Sequence, residues 1–301
     1  MSTAWESVAA TERKLRAYVD GPHRDAERPL FLYLHYRDVH GPYLPPAPYH
    51  AMFLPEGWSE EKRRFVDATA ELRVGDEVAP WPFEKPVSYA LSQYDGEIRY
   101  TDDGLARLFD ALPSYGVDPA NTIVVVTSDH GEEFKDAHPD DRGGVGHGRT
   151  LYAEQVRVPL VVVGPGIVQT TVETPVELID LAPTLSDLAG LSKESARTFR
   201  GRSLRPALEG RALESRPVFA GGNHGRGLVH ADGRSYLRVA RSIGGAPIDV
   251  SRRPDPTLEI EYAAQLFVDR EDPGQRTNLI DARPKIAARL ARELAEHLGG
   301  R

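Results

Sequence analysis

Asp129 and His130 stand side by side in "TIVVVTSDHGEEF", where a run of valines ends in a carboxylate, an imidazole and then Glu132 and Glu133. Neighbours on a strand point to opposite faces, so these two side chains converge only if the chain leaves the extended conformation between them. Gly131 makes such a turn easy, because it lacks a Cβ. Once converged, a carboxylate and an imidazole suit a divalent cation. The competing reading is a capped turn, with Asp129 bonded to backbone amides.

Two further clusters hold groups of the same chemical kind. In "HYRDVHGPYLPP", His40 sits in a Pro-bounded turn that could hold its ring rigidly, or could leave it as a loop histidine satisfied by backbone carbonyls. His35, inside the apolar run before it, reads as a packed core histidine. In "GGVGHGRTLY", His147 and Arg149 lie on a flexible stretch and could close over an anion, with a plain surface loop as the alternative. Asp95, Glu97, Asp102 and Asp103 share a helical stretch and read as a solvated face or as packing polar groups.

These clusters need strands and helices to position them. "LFLYLHY", "TIVVVTS" and "PLVVVGPG" are apolar runs without polar alternation, which suits strands covered on both faces in a parallel sheet. Between the first two, Tyr94, Ile98, Leu105, Leu108 and Leu112 recur at helical spacing, and Gly96 and Gly104 within that stripe predict close packing. A further helix is predicted in "VELIDLAPTLSDLAG", stopping at Gly190. After Ser192, Gly-rich turns separate "RPVFAG", "RSYLRVA" and "TLEIEYAAQLFV", the pattern of an antiparallel unit. A closing helix carries Ile286, Leu290, Leu294 and Leu298. In an open α/β sheet, ligands sit beyond the carboxyl ends of strands, where the first two clusters fall.

Composition narrows the function classes. A net charge of −8 over 301 residues argues against a nucleic-acid binder. The chain has no cysteine, which excludes disulfides, thiolate zinc sites and a thiol nucleophile. No apolar run approaches the roughly 20 residues of a membrane span. "MSTAWESVAATERKLRAYVDG" lacks the apolar core of a secretion signal and reads as an amphipathic helix, so the compartment stays open.

Five segments, in order, resemble the sulfatases of the alkaline-phosphatase superfamily. "PLFLYLHYRDVHGPYLPP" is similar to the family's strand and H-x-P turn. "YDGEIRYTDDGLARLFDAL" resembles the helix before the metal strand. "NTIVVVTSDHGEEF" with "GHGRTLYAEQVRVPLVVVGPG" resembles the S-D-H-G-E segment and its sequel. "VELIDLAPTLSDLAGL" and "QLFVDREDPGQRTNL" resemble two later stretches, the last departing at Val268 (Asp usual) and Gln275 (Glu usual). The resemblance implies an alkaline-phosphatase-like α/β fold, a mainly parallel sheet flanked by helices, as a partial catalytic domain over residues 1–191. A C-terminal α+β subdomain with a small antiparallel sheet and a closing helix would follow over 192–301.

The resemblance also assigns chemistry. Asp129 and His130 would be metal ligands, the histidine taking the place of an asparagine found in many sulfatases. His40 would contact the ester or protonate its leaving oxygen, and Arg149 or His147 would fill the family's cationic position. The implied activity is hydrolysis of a small-molecule or saccharide sulfate ester with one divalent ion, calcium if the nucleophile is formylglycine and manganese or zinc if it is threonine. A phosphodiesterase or phosphonate monoester hydrolase is the alternative within the superfamily, and a non-catalytic remnant or binding subunit is the alternative outside catalysis. No C-x-P-S-R motif occurs, and no aspartate pair follows a first strand. The chain therefore resembles the carboxyl-terminal two-thirds of a sulfatase, with the remaining part expected to be encoded upstream. Alone it is expected to be inactive, to bind metal weakly and to associate.

Overall fold

Gly96 is where the long helix of the first half meets its neighbour: a Cβ there would lie 2.8 Å from Pro45 Cγ and 2.9 Å from the Tyr49 carbonyl. The computed structural model describes residues 13–22, 25, 27–59, 87–134, 146–148, 150–191, 198–222, 227–243, 246–247 and 260–299. A first helix, α1, covers 13–19, and α2 runs from Val87 to Ala111. Its buried face passes through Tyr89, Gln93, Gly96, Tyr100, Gly104 and Leu108. The stripe is thus rotated from the one the apolar spacing suggested, and Ile98 is exposed. Glycine and glutamine carry no hydrophobic signal, yet close backbone approach and a side-chain hydrogen bond from Gln93 to the His50 carbonyl put them inside.

The "LFLYLHY" segment departs from expectation. It belongs to no strand ladder among the described residues. Leu30, Leu34 and Tyr36 pack on a core of Leu15, Leu108, Leu112 and Tyr115. The alternate residues Phe31 and Tyr33 are 75% and 73% exposed. His35 is likewise exposed rather than packed in a core.

The chain divides into two compact units, Met1–Thr122 and Ile123–Arg301. In the second, β1 (Val124–Thr127) and β2 (Leu160–Val163) pair antiparallel, Val125 opposite Val162. Complete coverage of these valine runs is not observed: Val161 and Val163 are each 52% exposed. Between them lies a short helix, α3 (Ala153–Val156). The helix α4 (Leu181–Leu188) ends at Gly190, which takes a φ of 68°. Hydrogen bonds from Gly190 N to Asp187 O and from Leu191 N to Ser186 O close it as a Schellman motif. A single turn, α5 (Arg205–Leu208), follows.

The C-terminal antiparallel sheet and closing helix are present as expected. β3 (Val218–Gly221), β4 (Gly227–Ala231), β5 (Arg234–Ile243) and β6 (Ala246–Pro247) pair in order, and β7 (Ile260–Val268) pairs with β5. β4 lay hidden among apparent turns. Its hairpin to β5 turns on Asp232 and Gly233, with φ of 54° and 70°, the two positive values a two-residue hairpin turn requires. One face of the sheet, through Val229, Tyr236 and Leu266, buries Ala287, Leu290 and Leu294 of α6 (Pro284–Gly299). Leu298 is left exposed at the helix end. The other face, through Leu228, Leu237 and Phe267, buries Leu151 and Tyr152. Each large apolar side chain so buried contributes roughly 1.5–3 kcal/mol. Among the described residues no helix is long and apolar enough to cross a membrane.

Glu97, on the buried face of α2, accepts the Leu44 amide at 3.0 Å. Burial first, and then the charge of Asp38, push its carboxyl up to about 7 against the opposing Leu44 bond. With the folded-state value above the ordinary 4.5, its contribution to stability is full below that value and is lost as pH rises through about 7. We expect Glu97→Gln, which keeps an oxygen for Leu44 and removes the charge, to stabilise the protein at about pH 8 by on the order of 2–3 kcal/mol and to do little at about pH 4. Urea denaturation at the two pH values measures this. An unchanged pH dependence would show that Glu97 is not its source.

Candidate active site

Beyond Thr127 the chain leaves β1. The Asp129 Oδ1 accepts the His130 amide at 3.0 Å, so the aspartate does cap the turn. Its other oxygen, Oδ2, lies 3.7 Å from His130 Nε2. The two side chains therefore converge. Ser128 Oγ donates to the His130 carbonyl at 2.5 Å and fixes the peptide that follows His130.

The His130 ring has a defined proton arrangement. Its Nδ1 lies 2.8 Å from the Gly131 carbonyl. A carbonyl oxygen can only accept, so Nδ1 carries the hydrogen and the lone pair of the neutral ring is on Nε2, toward Asp129. This suits a cation. Donors 3.7 Å apart can share one ion, since oxygen and nitrogen ligands sit roughly 2.0–2.6 Å from zinc or calcium. Among the described residues no set of three His, Asp or Glu groups is placed to hold a metal. Asp129 and His130 thus make a two-donor arrangement.

Gly131 does something other than turn the chain. It is not among the glycines with positive φ. Instead its amide donates to the Gln155 carbonyl at 2.8 Å, and a Cβ would fall 2.0 Å from the Glu154 carbonyl oxygen. The glycine is there for close approach of two backbones.

The same segment pins the loop bearing His147. Glu133 and Gly146 exchange backbone hydrogen bonds of 2.9 and 3.0 Å. The Gly148 amide donates to Gln155 Oε1 at 2.8 Å. Gln155 Nε2 donates to the buried Glu133 carboxylate, which also accepts Thr150 Oγ1 at 2.5 Å. Gly146 and Gly148 take φ of 113° and 78°, so the chain doubles around His147 in a conformation favouring glycine. The part of this loop expected to be flexible is tied down at residues 146–148. His147 Nδ1 lies 3.1 Å from Glu132 Oε1, and its ring lies 3.9 Å from that of His130, tilted by 30°. Arg149 lies outside the described residues.

His40 belongs to the first unit. It is exposed, its amide donates to the Arg37 carbonyl, and its Nδ1 lies 2.7 Å from the Gly41 carbonyl. It does not pack beneath the loop that follows.

Sequence reasoning named Glu132 without giving it a role, and missed Gln155 and the polar hub behind them. Asp269 accepts Ser235 Oγ at 2.6 Å and Gln275 Nε2 at 2.9 Å, and faces His230 Nδ1 at 2.8 Å and Arg157 at 3.5 Å. Burial would raise the Asp269 carboxyl, but hydrogen bonds from His230, Ser235 and Gln275 and the charge of His230 outweigh it and hold the group low. Gln275 Oε1 in turn accepts the Ala153 amide at 2.9 Å. The Gln275 amide donates to Asp269 and accepts from Ala153 at once, which an ionised glutamate at this place could not do. The departures at Val268 and Gln275 were the available signal.

The sulfatase family model matches residues 10–191, and this chain belongs to that family. It is 28% identical over 222 residues to an endo-4-O-sulfatase of Bacteroides thetaiotaomicron, covering 69% of this chain and 41% of that protein. It is 33% identical over 224 residues to PehA, a multifunctional alkaline phosphatase superfamily protein of Trinickia caryophylli, covering 67% and 41%. With the choline-sulfatase of Rhizobium meliloti it shares 32% identity over 199 residues, covering 66% and 34%. The chain thus spans well under half the length of these relatives. The fold is that of the yidJ protein of Bacteroides fragilis, with a TM-score of 0.69 at 21% identity over 98% of this chain and 58% of that one. The phosphonate monoester hydrolase of Agrobacterium radiobacter gives 0.66 at 21% identity over 98% and 61%.

Two substitutions test the support of the site. Gly131→Ala forces a Cβ into the Glu154 carbonyl, and we expect a loss of about 2 kcal/mol or more in urea denaturation. Gln275→Glu sets a second carboxylate against Asp269. It should cost about 2–4 kcal/mol near neutral pH and less as pH falls enough to protonate one of the pair. Unaltered stability in either variant would mean the segment is held by other contacts.

Proposed function

We propose that this chain carries the metal-ligating and anion-contacting residues of a sulfuric-ester hydrolase. The observation that supports the reading most is the convergence of Asp129 Oδ2 and His130 Nε2 at 3.7 Å in the S-D-H-G segment. Asp129 and His130 would hold one divalent ion, calcium, with manganese or zinc as alternatives. When bound, such an ion stabilises charge on the transferred group and lowers the nucleophile's pKa. Asp129 contributes a charged oxygen that is 68% exposed in its side chain, and Gly131 O keeps the His130 lone pair on Nε2. His147 contacts the anion beside His130, with Arg149 as the further candidate for that place. His40 is proposed as the acid toward the leaving oxygen. Its Nδ1 donates to Gly41, so proton exchange takes place at Nε2.

Relatives named as an endo-4-O-sulfatase and a choline-sulfatase support a saccharide or small-molecule sulfate ester as substrate. These 301 residues contain neither cysteine nor a C-x-P-S-R motif. We therefore propose that the nucleophile and the remaining ligands come from other sequence, in a longer chain or a second polypeptide. A phosphodiester or phosphonate monoester substrate is the second reading, with PehA and the phosphonate monoester hydrolase as its support.

The test uses the 301-residue chain with added calcium or manganese. We expect calorimetry to show weak divalent binding, with Kd roughly in the 0.1–1 mM range of sparsely liganded sites, and Asp129→Ala to abolish it. We expect no turnover of nitrophenyl sulfate by this chain alone. Sulfate turnover abolished by Asp129→Ala would contradict the placement of the nucleophile elsewhere. Turnover of a nitrophenyl phosphodiester instead would favour the second reading, and no metal binding would favour a non-catalytic role.

A further inference from the structure

His40 sits on a turn whose two feet meet one side chain of α2. At the far foot the Leu44 amide donates to Glu97 Oε1 at 3.0 Å. At the near foot Asp38 is buried, and its charge acts on the same Glu97 carboxyl. The chain beyond Leu44 is fixed separately: Pro45 packs on Gly96, and the His50 carbonyl accepts Gln93 Nε2. Asp38 and Glu97 are only 7% and 6% exposed, and two carboxyls so placed do not both ionise without cost. Other charged groups on these elements are engaged elsewhere or face water. Arg99 pairs with Asp103 at 2.7 Å, the Tyr49 hydroxyl donates to the same Asp103, and Arg37 and His40 are exposed. Among the described residues, Asp38 is the charged group whose field reaches Glu97. A glutamine at 97 would accept the Leu44 amide equally well, so that contact alone does not account for an acid at this place.

We propose that Glu97 is a positioning residue for the turn that carries His40, holding both feet while its carboxyl is neutral and releasing the Asp38 foot when it ionises. The two feet respond differently because their interactions have opposite preferences. A backbone amide bonds more strongly to an ionised carboxylate, so the Leu44 contact survives ionisation. Burial and the charge of Asp38 oppose ionisation and push the carboxyl up to about 7. Below that value the acid is neutral and Asp38 lies beside it without repulsion. As pH rises through about 7 the new charge repels Asp38 and draws in water, and the turn loosens between residues 38 and 41. The consequence for catalysis rests on the reading of His40 as the acid, whereas the clasp itself does not.

The experiment is NMR of the full 301-residue chain, reading the Glu97 carboxyl by its carbon shift and the amides of Val39, His40 and Gly41 by nitrogen relaxation. We expect order parameters of about 0.85 for these amides at about pH 5.5, falling below about 0.6 at about pH 8.5. The fall should follow the titration of the Glu97 carboxyl, at about 7. Glu97→Gln keeps the acceptor for Leu44 and every other ionisable group of the turn, and should leave the turn rigid at both pH values. A Glu97 carboxyl that titrates near the ordinary 4.5 overturns the proposal without any variant. Loosening that persists in Glu97→Gln overturns it too, as does a fall shared by amides along the whole of α2, which would be a general loss of stability. None of these outcomes touches metal binding at Asp129 and His130, so the hydrolase reading would stand. A clasp that behaves as expected in a chain that binds no divalent ion would remove the hydrolase reading and leave the positioning in place.

Discussion

Everything described around Asp129 and His130 depends on one backbone approach, the seating of Gly131 against Glu154 and Gln155. The 2.8 Å bond from Gly131 N to Gln155 O stops the valine strand where its carboxylate and imidazole emerge. The side chain of the same Gln155 reaches the Gly148 amide, Thr150 and Glu133. One glutamine therefore sets two segments, the turn with Asp129 and His130 and the loop with His147. Neither could be placed independently of the other.

That contact is in turn anchored by the C-terminal sheet. Leu151 and Tyr152, just before Gln155, are buried against Leu228, Leu237 and Phe267. The Tyr152 hydroxyl bonds to Gln265 at 3.1 Å, and Gln275 holds the Ala153 amide. The sheet buries one face on its closing helix and the other on the segment that backs the site. A sheet that carries none of the proposed chemistry thus fixes the backbone on which that chemistry depends.

Some of this was legible in the sequence. The valine runs, the 181–188 helix with its glycine stop, and the closing helix follow from local pattern, and the structure contains them. The order of the five family-like segments pointed to the sulfatases, to which the chain belongs. Other features were hidden because their cause is tertiary. The buried face of α2 is written in Gly96, Gln93 and Glu97, none of which signals burial by itself. The Asp232–Gly233 pair is a strong hairpin signal, but the strand before it begins in glycine and was obscured. Gly131 reads equally as a turn residue or a close-contact residue, and only the position of Glu154 decides between them. The partner of Asp269 is intelligible only once strand pairing and the following turn bring Gln275 beneath Ala153.

The central claim is that Asp129 and His130 act as ligands to one cation. Diffraction from crystals of this chain soaked in manganese, recorded for anomalous scattering, tests it most directly. The account predicts a single strong anomalous peak within coordination distance of Asp129 Oδ2 and His130 Nε2, absent from crystals of Asp129→Ala. A strong peak elsewhere, with none between those two atoms, would contradict it.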